Sequence, residues 1–271
     1  MFTSKALQRT QVLAQQPLRF MLNGVRTSGS TSDVRLRSTV LNSRAKDMPT
    51  MLWFSDLMEP AENFTKFFTR PDNKILNYRN VHLVNMRNQG DSDHHASYDI
   101  DEMANDVMRY MDANKITMAT IGGHGFGAKL ATATANANLE RFTGVINLEG
   151  GPVDHKYHEA WYELKDNIDF AANMKLSGME ASAALRAIET GISCPKWAAI
   201  FKQNLDMEKM QWKNNMKALH ANSRKNVPDV ATWSQSNGLW PGEALCLFAA
   251  HSRWIHLSTN TLPFYNVYPR L

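Results

Sequence analysis

The stretch that most constrains the fold of this chain runs from residue 116 to residue 131, with the sequence Ile-Thr-Met-Ala-Thr-Ile-Gly-Gly-His-Gly-Phe-Gly-Ala-Lys-Leu-Ala. Its first part is apolar and partly β-branched, which predicts a buried strand. Its alanine-rich second part contains no proline and predicts a helix. The glycine-rich corner between them presents backbone N–H groups at a helix N-terminus, where negative charge is stabilised. This corner is therefore the first candidate functional site.

Strands and helices alternate along the first half of the chain. Apolar runs predict three further strands, at 49–54, 81–86 and 142–148. A helix is predicted to begin at Asp99, because Glu102 follows three residues later in a capping-box pattern. A chain that alternates in this way forms a mostly parallel sheet covered by helices on both faces.

The second half of the chain begins without an evident strand. Helical patterns occur at 157–176, 179–190, 196–205 and 208–222. A buried strand is predicted again at 244–250. We therefore predict one α/β domain over residues 45–271, with a core formed by 45–152 and 236–271 and a helical lid at 153–235.

Residues 1–44 differ in composition from the rest of the chain. They carry seven basic residues and one acid, a net charge of +6, whereas the whole chain carries +4 and residues 45–271 therefore sum to −2. Such a segment, rich in arginine, serine and threonine, is typical of a mitochondrial targeting sequence, with cleavage expected between Arg26 and Arg44. The alternative is a disordered basic arm that binds a partner.

The charge distribution argues against nucleic acid as a partner of the folded domain, and the hydropathy pattern argues against a membrane-spanning segment. Because the excess of positive charge lies outside the predicted folded domain, we expect no nucleic-acid contact from that domain. No apolar run approaches the roughly 20 residues that span a bilayer, so we predict no transmembrane segment.

The glycine corner has two competing interpretations. Gly123-x-Gly125-x-x-Ala128 matches a dinucleotide-binding fingerprint, with Glu149 after the next strand as a ribose ligand. The corner also matches a hydrolase nucleophile elbow, Gly-x-Ser-x-Gly, with Gly125 in the serine position. The elbow residues are Gly123, His124, Gly125, Phe126 and Gly127. The elbow is favoured, because the fingerprint normally belongs to the first βα unit and two such units precede this corner.

A second group of residues has the composition of a metal site. Asp154, His155 and His158 could place a carboxylate and two imidazoles on one helix face. A polar helix start at the base of the lid is the preferred interpretation, because no distal ligand is evident. We predict neither a metal nor a cofactor.

With these features the chain resembles the α/β-hydrolases, and among them the mitochondrial abhydrolase-domain esterases. The matching stretches are 86–92, 123–129, 148–153, 212–219 and 244–250. The resemblance covers about residues 49–271 and implies an α/β-hydrolase sheet with a helical lid, truncated at its C-terminal edge. It also implies a serine nucleophile, an oxyanion loop, an acid and a histidine base.

The chain departs from the family at each of these catalytic positions. Gly125 replaces the nucleophile, and the oxyanion loop aligns with Phe54, Ser55 and Asp56. The acid position falls in His251-Ser252-Arg253, which holds no carboxylate, and the family histidine would follow Leu271. Loss of the serine or the histidine alone costs about 10⁶ in turnover. We therefore predict a degenerate elbow, a degenerate oxyanion loop at Phe54 and Ser55, and no catalytic residue.

These departures predict a pseudoenzyme: an inactive, hydrolase-like structural or accessory subunit of a mitochondrial multiprotein complex. A shortened sheet edge favours a covering partner, because it exposes backbone donors and apolar surface. The respiratory chain or ATP synthase is the expected type of assembly, with the protein on the matrix side and held at the inner membrane through other subunits. The alternatives are a mitochondrial ester or thioester hydrolase with a non-standard site, or a ligand-binding module that retains the pocket.

Overall fold

A computed structural model describes residues 33–42, 47–155, 158–223 and 239–269, with the side chains of 257–261 excepted. The strands in chain order are β1 (Arg37–Leu41), β2 (Thr50–Phe54), β3 (Asn80–Asn85), β4 (Ala119–His124), β5 (Phe142–Leu148), β6 (Leu205–Asp206), β7 (Gln211–Trp212) and β8 (Glu243–Leu247). The helices are α1 (Thr65–Thr69), α2 (Ile100–Ala113), α3 (Phe126–Ala137), α4 (Glu159–Asn173), α5 (Ala181–Gly191), α6 (Pro195–Gln203), α7 (Met216–Ser223) and α8 (Leu257–Val267).

The central sheet has six strands in the order β1-β3-β2-β4-β5-β8. All neighbours are parallel except β1, which runs antiparallel to β3. This confirms the predicted mostly parallel α/β sheet. Because side chains alternate along a strand, β2 contributes apolar side chains to both faces of the sheet. Leu52 and Phe54 enter the larger apolar cluster, and Met51 and Trp53 enter the smaller cluster on the opposite face.

Strand β1 was not expected, since the sequence analysis assigned residues 37–41 to the basic arm. Its side chains are only half buried or exposed, so it lacks the apolar pattern of an inner strand. Its place is fixed by backbone pairing with β3 and by contacts from the loop after β3 and from α2. Arg37 N–H donates to Ser92 Oγ at 2.8 Å, and the Ser38 and Tyr110 hydroxyls lie 2.7 Å apart.

The start of α2 confirms the predicted cap in part. The Asp99 side chain accepts hydrogen bonds from the backbone N–H groups of Asp101 and Glu102, which satisfies two donors of the first turn. Glu102 does not close the capping box, because its carboxylate binds Arg87 at 2.7 Å. Arg87 is buried and also holds buried Asp106 through two nitrogens, at 2.6 and 2.9 Å. This cluster ties the loop after β3 to α2.

The described part of the predicted lid is mostly helical, whereas residues 156–157 and 224–235 of it lie outside the described residues. One predicted helix needs correction. The helix predicted at 208–222 begins only at Met216, because its first part forms the β6–β7 hairpin. Asp206 Oδ1 accepts from the N–H groups of Glu208 and Lys209, and Met210 has a positive φ of 46°, so the chain turns there. Trp212 then donates from its indole to Ala171 O at 3.0 Å in α4.

The C-terminal part of the described chain packs against the core. Strand β8 is an edge strand of the described sheet, and Leu245 and Leu247 on it are each 49% exposed. Beyond α8, buried Tyr268 places its hydroxyl 2.6 Å from both Thr132 Oγ1 and Asn147 Nδ2. Among the described helices, none is long and apolar enough to cross a membrane.

Candidate functional site

The corner between β4 and α3 turns sharply at Gly125. Gly125 adopts φ 55° and ψ −119°, a conformation that costs a residue with a Cβ on the order of 1–3 kcal/mol. Gly127 is needed for packing, because a Cβ there would lie 2.4 Å from the carbonyl oxygens of Phe54 and Ser55. Close approach of α3 to the end of β2 therefore accounts for Gly127, and the positive φ accounts for Gly125.

A carboxyl group occupies the place of the missing elbow side chain. A Cβ built on Gly125 would lie 2.2 Å from Cγ of Asp56, which belongs to the loop after β2. Asp56 Oδ1 accepts the backbone N–H of Leu57 and the backbone N–H of Phe126, each at 2.8 Å. Burial raises the pKa of Asp56, although the charge of His124 and the two N–H donors oppose that shift.

Two N–H donors that converge on one oxygen form an oxyanion-hole arrangement. Their distances fall in the 2.7–3.1 Å range expected for such a hole. The sequence predicts a degenerate oxyanion loop at Phe54 and Ser55. In the structure, Phe54 is buried in the core and the Ser55 hydroxyl donates to Glu59 O. The donor of this loop is Leu57, which no sequence pattern indicated.

His124, the residue before Gly125, forms an ion pair with Glu59. Its Nδ1 lies 3.2 Å from Glu59 Oε2, and its ring packs against Phe64 with centroids 5.8 Å apart. Burial alone would lower the pKa of His124. The bond to Glu59 and the charges of Asp56, Glu59 and Glu149 outweigh burial and raise the pKa above its ordinary value.

A small pocket, partly open to solvent, lies above the elbow. Its walls combine lid residues with elbow residues. They are Asp56, Leu57, Gly125, Phe126, Lys129, Glu149, His155, Trp161, Leu164, Trp197 and Trp254. Three indole rings therefore form much of an apolar chamber whose floor is the oxyanion-hole arrangement.

Lys129 and His155 form a buried pair in one wall of the pocket. Lys129 Nζ donates to Val153 O at 2.7 Å and lies 3.3 Å from His155 Nδ1, while His155 Nε2 lies 3.1 Å from Trp254 O. Burial, with the charges of Lys129 and His158, lowers the pKa of His155 well below its ordinary value. A neutral His155 therefore accepts a hydrogen bond from Lys129 at Nδ1 and donates one to Trp254 O from Nε2. Neither ring nitrogen is left to bind a substrate.

The metal-type group Asp154, His155 and His158 does not assemble as a site. Over the described ranges, no three His, Cys, Asp or Glu side chains converge as metal ligands would. His158 instead stacks on His256 with ring centroids 5.0 Å apart.

The other candidate residues are held by contacts of their own. Arg253 pairs with Glu163 at 2.6 Å, and Ser252 Oγ accepts from the N–H groups of Trp254 and Ile255. Glu149, the ribose ligand of the dinucleotide alternative, accepts the backbone N–H of Ala249 and so holds the end of β8.

A mostly parallel sheet, a helical lid between β5 and β8 and a positive-φ elbow before α3 define an α/β-hydrolase-like fold. The solved structure of a marine microorganism esterase matches with a TM-score of 0.75 and 16% identity, covering 87% of this chain and 88% of that one. A thermophilic esterase from Thermogutta terrifontis matches with a TM-score of 0.60 and 13% identity, covering 89% and 85%.

Sequence comparison gives two relatives, and no family model matches the chain. Esterase YbfF of Escherichia coli (strain K12) is 26% identical over 192 residues, which are 67% of this chain and 67% of that protein. Ethanol acetyltransferase 1 of Kluyveromyces marxianus is 25% identical over 114 residues. This match covers 39% of the chain and only 31% of the acetyltransferase.

The prediction of a pseudoenzyme is wrong. Both sequence relatives bear the names of enzymes, an esterase and an acetyltransferase, which points to an enzyme and favours the hydrolase alternative over an inactive subunit. The prediction rested on the absence of a serine and a histidine from expected sequence positions. A comparison of sequence positions cannot detect a carboxyl group that reaches the elbow from a distant part of the chain, here the loop after β2.

Proposed function

We propose that the protein is a hydrolase of carboxylic esters or thioesters. The observation that carries this proposal is the pair of N–H groups, from Leu57 and Phe126, that meet one oxygen at the elbow. The similarity to Esterase YbfF supports the same class of reaction.

The two donors suit ester hydrolysis because negative charge develops on one oxygen in the tetrahedral intermediate. Both are backbone groups, one at the N-terminus of α3 and one in the loop after β2, so they are held in place before the reaction begins. Removing one such donor typically costs about 10²–10³ in turnover. The partial positive charge at the start of α3 acts in the same direction.

The pocket indicates an apolar, uncharged substrate. Its walls are formed mainly by Trp161, Trp197 and Trp254, which bury apolar groups well. Two acidic residues, Asp56 and Glu149, also line it. The single lysine of the wall is already hydrogen-bonded to Val153 O, so anionic substrates gain little there.

Turnover of a chain-length series of p-nitrophenyl esters and the matching thioesters tests the proposal. We expect hydrolysis by the full-length chain well above a heat-denatured control. Replacing Trp254 with Leu should enlarge the pocket and shift the preference toward longer acyl chains. The matched control is Tyr162→Leu, since Tyr162 is 50% exposed and does not line the pocket. Absence of turnover with every ester and thioester would refute ester hydrolysis.

We further propose that the enzyme works in the mitochondrion. The support is the composition of residues 1–44, most of which lie outside the described residues. Import of a fusion of residues 1–44 to a reporter protein into isolated mitochondria is the test, and a reporter that stays outside would refute the location. Membership of a multiprotein complex stays a prediction, for which native sizing in detergent extract is the measurement.

A further inference from the structure

We infer that Asp56 supplies the nucleophile that Gly125 lacks. The inference rests on the proposed ester hydrolysis and assigns its attacking atom. Asp56 would act from the loop after β2, whereas a standard elbow nucleophile comes from the end of the next strand, β4.

Position is the first argument. The carboxyl carbon lies 2.2 Å from the point where an elbow Cβ would stand, so the carboxyl group fills the volume of an elbow side chain. Asp56 also lines the aromatic pocket. A substrate that reaches the pocket floor must therefore contact this group.

The two carboxyl oxygens have different surroundings, which is the second argument. Oδ1 receives both backbone N–H groups, whereas no donor from the described part of the chain reaches Oδ2. Oδ1 is thus anchored and Oδ2 is available for attack. An anchored Oδ1 also disfavours a simple general-base role, because a substrate carbonyl oxygen could not use the hole while Oδ1 occupies it.

The covalent route uses the hole in its second step. First, an electron pair of Oδ2 forms a bond to the acyl carbon, and the bond from that carbon to the alcohol or thiol breaks. The departing group takes a proton from water if it needs one. A mixed anhydride of Asp56 and the acyl group remains.

Water then attacks Cγ of Asp56 and gives up a proton to solvent. Oδ1 carries the negative charge of this tetrahedral intermediate and is stabilised by the N–H groups of Leu57 and Phe126. Collapse breaks the bond between Cγ and Oδ2, and the product acid leaves with Oδ2. The aspartate is restored with one oxygen atom from water.

The nucleophile also selects a substrate class. A carboxylate is a weak base, so a tetrahedral adduct expels it again unless the competing leaving group is also a weak base. The structure therefore points to thioesters and aryl esters as substrates, and simple alkyl esters should react far more slowly.

Oxygen-18 water tests the inference in the unmodified protein. The full-length chain, in excess over p-nitrophenyl acetate, is allowed a single turnover, and the peptide that contains Asp56 is then weighed together with the acetate. We expect oxygen-18 in Asp56 and none in the acetate. Label in the acetate and none in Asp56 would overturn the inference while leaving ester hydrolysis intact.

A variant pair gives an independent readout. Asp56→Asn should lose about 10³-fold or more in the rate of p-nitrophenol release. Asp72→Asn should keep the wild-type rate, because Asp72 is an exposed carboxylate paired only with Arg70 in the described structure. An active Asp56→Asn protein would overturn the inference. An inactive wild-type protein would instead refute the proposed function itself.

Discussion

The elbow offers a direct test of whether the Asp56 carboxyl group occupies the side-chain volume of residue 125. The perturbation is Gly125→Ala, alone and together with Asp56→Ala. Alone, Gly125→Ala places a methyl group 2.2 Å from Asp56 Cγ in a backbone conformation with φ 55°. Backbone strain contributes about 1–3 kcal/mol. Displacing the carboxylate from two N–H donors adds about 2–3 kcal/mol, since bonds to charged groups are worth roughly 1.5–3 kcal/mol each and water replaces part of them.

In the Asp56→Ala background, Gly125→Ala should cost only the backbone strain, because no carboxylate is left to displace. The double variant should therefore be about 2–3 kcal/mol more stable than the sum of the two single effects predicts. This coupling energy lies at the upper end of the range seen for residues in contact. Urea unfolding followed by tryptophan fluorescence measures all four proteins. The matched control is Gly144→Ala, whose Cβ would meet ordinary contacts of 3.6 and 3.8 Å. Additive effects of Gly125→Ala and Asp56→Ala would refute the assignment of the carboxyl group to this volume.

Three further outcomes follow from the contacts described above. Arg87→Met should destabilise the protein by up to about 3–5 kcal/mol in urea unfolding, because the buried carboxylate of Asp106 loses its bidentate partner and keeps the partly exposed Arg109; a loss below about 1 kcal/mol would contradict this. Tyr268→Phe should cost about 1–3 kcal/mol and speed amide exchange in α8, because two buried polar partners lose the hydroxyl; unchanged exchange would contradict it. Burial opposes protonation of His124, but the bond to Glu59 and the nearby carboxylates raise the pKa of His124 above its ordinary 6.5. The ion pair therefore stabilises the folded protein fully just below pH 6.5, and this stabilisation is lost as the pH rises through the raised pKa. Urea unfolding across that window should show a decline in the wild type that His124→Gln lacks.

The sequence predicts the parts of this fold that are encoded locally. Strand β5 was predicted at the residues where it occurs, and Asp99 was identified as the helix cap, because burial and capping each leave a short-range pattern. The elbow was identified from its glycines for the same reason. Strand β1 was missed, since an edge strand of mixed burial is fixed by its pairing with β3 rather than by its own residues.

Local sequence patterns could not predict which side chains and backbone groups meet at the site. Asp56 and Gly125 are far apart in the chain, and only the parallel pairing of β2 with β4 brings their loops together. The same pairing places the N–H of Leu57 opposite the N-terminus of α3. A search for a serine, an acid and a histidine at family positions therefore found only their absence, although a carboxyl group fills the space.

The pairing of β1 has a consequence for maturation of the protein. Contacts with the folded domain begin by Val34, whose side chain is buried. The next residue, Arg35, donates its N–H to Asp93 Oδ2 at 2.9 Å and accepts the N–H of Asp93 at its carbonyl at 3.1 Å. A cut by a processing protease within or beyond β1 would remove the antiparallel neighbour that β3 has in the described sheet, and would turn β3 into an open edge. If a leader is removed on import, the first residue of the mature enzyme should therefore lie upstream of Arg35. This narrows the cleavage window expected from the sequence to the part between Arg26 and Val34.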